Sequence, residues 1–130
     1  MPFKIDWLDE KLHIYGIALS DPFTMADQDQ FFEEFFRFMD AGPTPMYGVF
    51  DVSQLSQSGA AGLSDPRFSR MGQYRKKIVV IVMVTKSKIA AAMGKLGADV
   101  VGYRDWIRFE ESREEAIQYL KERAAADLVR

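Results

Sequence analysis

At 130 residues the chain has the length of a single domain, long enough to bury about two-thirds of its unfolded surface without covalent staples. It has no cysteine and one histidine, which excludes a disulfide framework, a thiol nucleophile and any Cys-ligated or multi-His metal site within one chain. The net charge is only −2, but residues 1–66 hold 3 Lys/Arg against 11 Asp/Glu (−8), 67–108 hold 10 against 2 (+8) and 109–130 hold 4 against 6 (−2).

Segregation of this kind offers a basic surface to an anionic partner; the competing reading is that the fold mixes the segments and the fields cancel. The opening MPFKIDWLDE carries charges where a secretory leader needs an apolar stretch. The longest aliphatic run, Ile78 to Val84, is far short of the roughly 20 residues of a membrane span. A single cytoplasmic domain over residues 1–130, with no transmembrane segment, is the expectation.

Phe3 to Leu8 alternates apolar and polar, the period of a half-buried strand. Asp9-Glu10-Lys11 turns the chain, and residues 12–19 read as a second strand with His13 in its middle. Pro22 ends the hairpin, because proline cannot donate to a ladder. Thr24 caps a helix whose Phe31, Phe32, Phe35, Phe36 and Met39 recur at helical spacing, with Phe38 on the flank. Gly42 and Pro43 end it.

Residues 46–52 form an apolar run fit for a buried strand, and the Ser/Gly/Gln-rich 53–66 reads as a loop. A short basic helix is expected from Asp65-Pro66-Arg67 to about Lys77. Ile78 to Val84 is unbroken and β-branched, as in a central parallel strand covered on both faces. Ser87 can cap a helix over 89–97, and 107–109 form a last strand. Ser112 to Glu115 has the spacing of a capping box, before a helix with Ala116, Ile117, Leu120 and Ala124 on its buried stripe. The order β-β-α-β-α-β-α-β-α predicts an α/β fold with a mixed, mostly parallel five-stranded sheet and helices packed on it.

This order, with Tyr47 to Ser53, the strand Ile78 to Val84 led by Arg75-Lys76-Lys77, and the ending Arg108 to Ala116, resembles the STAS fold of anti-sigma-factor antagonists. It is most similar to the SpoIIAA-like group of bacterial STAS-like proteins. The ending is similar to the F-x-x-x-E-E-A-x-x-W-L close of that group, with Tyr119-Leu120 near its Trp-Leu. The resemblance covers about residues 3–123. It implies a regulatory module that binds a kinase-like partner and is switched by phosphorylation of a serine in Asp-Ser-Ser-Gly. Ser58-Gly59 matches the last two positions of that motif, while Ser56 and Gln57 depart from the first two. SpoIIAA-like members generally lack the switch, and for that group the resemblance implies lipophilic ligands or membrane association.

In open α/β sheets, ligands bind beyond the carboxyl ends of the parallel strands. Loops 53–59, 85–88 and 110–112 are expected there. Thr85, Lys86, Ser87 and Lys88, at a helix start with free amides, form a candidate anion site, joined by Ser56 and Ser58. Ser58 is also the candidate regulatory serine. The competing reading is solvated lysines whose repulsion from the helix dipole is screened. The small-faced segment 90–98 admits either close packing or an apolar cleft against the Phe-rich helix, lined by Phe32, Phe36 and Met93; helical spacing favours core for the phenylalanines.

No nucleophile elbow, P-loop or dinucleotide fingerprint is present, so no catalytic residue, metal or cofactor is assigned. Tyr74, Tyr103 and Trp106 among cations resemble a single-strand binder's mixture, but the overall acidic balance argues against nucleic acid. The expected function is a non-enzymatic STAS-like regulatory module that binds a protein partner or itself as a homodimer. The alternative is a carrier or sensor of a small lipophilic anionic ligand, with peripheral membrane contact.

Overall fold

The computed structural model describes residues 2–56, 66–87 and 105–129. Ser58, Lys88, Met93 and the expected helix over 89–97 lie outside these residues.

Strand β1 (Phe3–Asp9) pairs antiparallel with β2 (Ile14–Ser20), and β2, β3 (Met46–Gln54), β4 (Ile78–Val84) and β5 (Ile107–Glu110) run parallel. Order in the sheet follows order in the chain, β1-β2-β3-β4-β5. The mixed, mostly parallel five-stranded sheet is as expected from the sequence. Helix α1 (Met25–Ala41) follows β2, and α2 (Arg113–Leu128) follows β5. The basic segment after residue 65 is a 3-10 helix over Pro66–Tyr74, shorter than expected because Lys77 already bonds back to the Tyr74 carbonyl in a turn.

Each face of the sheet has its own core, as a two-sided parallel sheet requires. On one face Phe31, Phe32, Phe35 and Met39 of α1 pack on Phe3, Tyr15, Ile17, Leu19, Met46, Phe50, Ile78 and Ile81. Met71 and Tyr74 of the 3-10 helix and Trp106 close that layer. Trp106 buries its indole by donating its N–H to the Ile78 carbonyl at 2.8 Å. On the other face Ala116, Leu120 and Ala124 of α2 cover Ile14, Tyr47, Val49, Val80, Val82 and Val84. Ile117 is half-buried beside that stripe. A register shift between Met46–Ile78 and Tyr47–Val80 lets Val79 join the α2 side as well.

The hairpin turn differs from the expected one. The Asp9 carboxylate accepts the Leu12 amide at 3.0 Å, and His13 takes a left-handed φ of 59°, so β2 starts at Ile14. His13 therefore sits in the turn rather than mid-strand. Both helix starts are capped. The Thr24 hydroxyl accepts the Asp27 amide while Asp27 accepts the Thr24 amide at 2.9 Å, a full capping box. The Ser112 hydroxyl accepts the Glu115 amide at 3.1 Å.

Candidate functional site

The carboxyl ends of β2, β3, β4 and β5 share one edge of the sheet, since these strands are parallel. The edge is held by side-chain and backbone hydrogen bonds. Asp21 accepts the Ser56 amide at 2.8 Å, which draws the chain leaving β3 toward the end of β2. Asp51 accepts both the amide and the hydroxyl of Ser53, at 2.9 and 2.6 Å. The Thr85 amide donates to the Glu110 carbonyl at 3.1 Å, tying the chain ends of β4 and β5. The Ser87 amide donates to the Thr85 hydroxyl at 3.3 Å.

Thr85, Lys86 and Ser87 thus leave the end of β4, with Lys86 and Ser87 exposed, and exposed Ser56 leaves the adjacent β3. Ser56 is fastened to the β2 side, and Thr85 to the β5 side. Among the described residues the edge carries Asp21, Asp51, Glu110 and Glu111 beside Lys86. The start of α1 adds Asp27, whose carboxyl is held below its ordinary value by the amide and hydroxyl of Thr24. Three cations of the basic segment reach acceptors: Arg67 pairs with Asp29 at 2.9 Å, Arg108 with Glu110 at 2.9 Å, and Lys77 donates to the Met39 carbonyl at 2.8 Å. Charge segregated in sequence is in part neutralised in the fold.

Phe32 is buried, with the Arg67 guanidinium 4.5 Å from its ring centre. Phe36 is half-buried and lines an open groove between α1 and the 3-10 helix. That groove, of about 360 Å³, is completed by Asp40, Arg70, Gln73 and Tyr74. The Phe36 and Tyr74 rings stack at 6.2 Å and 30°. The Tyr74 hydroxyl donates to Asp40 at 2.9 Å; burial, that bond and the carboxylate charge push its pKa up to about 12.

A second open groove, of about 400 Å³, lies where the β1–β2 turn meets the C-terminal end of α1. Trp7, Glu10, His13, Phe38, Ala41, Gly42 and Pro43 line it. The Trp7 and Phe38 centroids are 5.1 Å apart at 46°, and those of Trp7 and His13 are 6.5 Å apart at 53°. His13 Nδ1 lies 2.8 Å from the Pro45 carbonyl. Neither groove is at the carboxyl edge to which sequence reasoning pointed. The second was hidden because His13 reads as a strand residue and Phe38 as a flank residue. The Asp-Glu-Lys turn signal was the available clue.

Among the described residues no helix is long and apolar enough to cross a membrane. Comparison with protein-family models, curated proteins and solved structures finds no match.

Proposed function

We propose that this chain is a non-enzymatic STAS-like regulatory module, acting by binding another protein or a second copy of itself through the carboxyl edge of its sheet. One observation carries the reading: the sheet runs β1-β2-β3-β4-β5 with a leading antiparallel hairpin, so the chain leaves β3, β4 and β5 side by side at one edge. The segments that resemble the SpoIIAA-like group fall on the elements that form this edge: Tyr47–Ser53 on β3, Ile78–Val84 on β4 and Arg108–Ala116 across β5 into α2. Adjacent loops with exposed Ser56, Lys86 and Ser87 suit contact with a partner surface.

Light scattering on the eluting protein, followed by cross-linking and mass spectrometry, tests the reading. A dimer or a defined complex cross-linked through Lys86, and weakened by Lys86→Glu, is the expected result. A monomer with no cross-link at that edge, in the presence of the host extract, overturns it.

A second reading, carriage of a small lipophilic anion, is favoured by the groove in which stacked Phe36 and Tyr74 stand beside Arg70 and Gln73. Native mass spectrometry of the purified protein distinguishes the two. A co-purifying fatty-acid-like adduct that Arg70→Glu removes supports the carrier; protein of the unliganded mass in both forms rejects it.

A further inference from the structure

We infer that the groove between the β1–β2 turn and the C-terminal end of α1 binds a quaternary or methylated ammonium group. The site is independent of the carboxyl edge and lies at the opposite end of α1. Four features converge on a cation there.

The first is aromatic. A cation is attracted to a ring face within about 6 Å of its centroid. Trp7 and Phe38 both line the groove, with centroids 5.1 Å apart and planes inclined by 46°, so a cation entering it meets two neighbouring rings. The imidazole of His13 adds a third wall, 6.5 Å from Trp7.

The second is the tautomer of His13. A carbonyl oxygen only accepts, so the 2.8 Å contact to Pro45 places the proton on Nδ1. The ring is held in place at a cost, because His13 has φ 59° without being glycine. Backbone strain of about 1–3 kcal/mol persists where the surroundings over-determine a position, and such positions cluster at ligand clamps.

The third is the helix end. Ala41, Gly42 and Pro43 bring the C-terminal end of α1 to the groove, and its aligned carbonyls carry a partial negative charge. The last turn of α1 holds no basic side chain to offset it. Lys77 meets this end at the Met39 carbonyl, 2.8 Å away, and offsets part of that charge, but it does not line the groove.

The fourth is Glu10, an exposed carboxylate lining the groove. The neighbouring Asp9 is engaged with the Leu12 amide, and the remaining charge of the turn is the exposed Lys11, which does not line the groove. At about 400 Å³ the space lies near the lower end of the range of small-ligand sites, about 300–1,000 Å³, which suits a headgroup-sized cation. Ring faces with one carboxylate, and few hydrogen-bond donors, favour a methylated ammonium over a primary one. The methylated cation sheds its water more readily and needs no hydrogen-bond partners. The source is either a free choline-type molecule or a trimethyl-lysine side chain.

Trp7 makes the test direct, because the other tryptophan, Trp106, is buried and its N–H is bonded to Ile78. Titration with choline, with its neutral carbon isostere 3,3-dimethylbutan-1-ol, and with matched trimethyl-lysine and lysine peptides is read by tryptophan fluorescence. We expect a saturable change with an ammonium probe and binding of the isostere about tenfold weaker, between the sizes of an exposed and a desolvated cation–π contribution. Glu10→Gln should weaken the ammonium about threefold, and Phe38→Leu should weaken it further with Trp7 still reporting, each with an unchanged circular dichroism spectrum. An upfield shift of the choline methyl protons in the presence of unmodified protein provides a second readout that needs no variant. Tighter binding of the trimethyl-lysine peptide than of choline identifies a protein side chain as the source, and the reverse a small molecule. Absence of a saturable response to every ammonium probe, or equal affinity for the isostere, overturns the inference.

Discussion

Tyr15 and Gly48 are a matched pair. A Cβ built on Gly48 would run into the hydroxyl end of the Tyr15 ring, closer than any real contact, so the tyrosine reaches over β3 where only glycine leaves room. Gly48→Ala should cost about 1–3 kcal/mol through overpacking, read as a lower urea midpoint with an unchanged slope. The Tyr15 hydroxyl is fully buried and has no hydrogen-bond partner among the described residues, and desolvation raises its pKa. Tyr15→Phe should therefore leave stability unchanged or raise it by up to about 1 kcal/mol, since an apolar replacement removes a polar group that makes no bond. A loss of more than that on urea unfolding would mean that the hydroxyl is satisfied.

Capping decides the ends of both helices. Thr24→Ala removes the acceptor for the Asp27 amide and half of the capping box, and about 1 kcal/mol of stability is expected to go with it. Ser112→Ala should cost about the same, and Thr24→Ser should restore most of the loss at α1, all read as shifts in Tm. These starts were legible in the sequence because a cap is a local interaction between residues three apart. The central strand β4 and the Phe-rich face of α1 were legible because hydrophobic runs and helical periods survive in one dimension. The start of β2 was not. It is set by the Asp9 side chain and by the left-handed His13, whose ring bonds to Pro45, 32 residues away. The two grooves were illegible for the same reason: each is made by residues far apart in the chain, Trp7 with Phe38 in one and Phe36 with Tyr74 in the other. Of the carboxyl edge, the order of strands was legible, but not that Asp21 would fasten Ser56 toward β2.

At the scale of the molecule, two tyrosines join separate elements through carboxylates. Tyr47 on β3 donates to Asp127 near the end of α2 at 2.6 Å, and Tyr74 donates to Asp40 of α1. Burial, followed by these bonds and charges, pushes both phenols up to about 12 from the ordinary 10.0. The folded state thus holds these protons more tightly than the unfolded chain does. Their contribution is complete below about pH 10 and is lost as pH rises toward about 12. Denaturant midpoints measured across that interval should fall steeply, and Tyr47→Phe with Tyr74→Phe should flatten the fall. An unaltered slope in the double variant would assign the alkaline transition to other groups.

The two-sided sheet also fixes an order of events during synthesis. Every parallel strand pairs with its predecessor in the chain, so the sheet can extend one strand at a time as residues leave the ribosome. Helix α1 follows β2 directly and shields the first face early. Among the described residues the second face has no such companion: Ile14, Tyr47, Val49, Val80, Val82 and Val84 wait for Ala116, Leu120 and Ala124, which are made last. A nascent chain that has completed β4 therefore still lacks the α2 cover of this aliphatic face, and an arrest of synthesis before residue 113 should raise its binding of chaperones above that of the full chain.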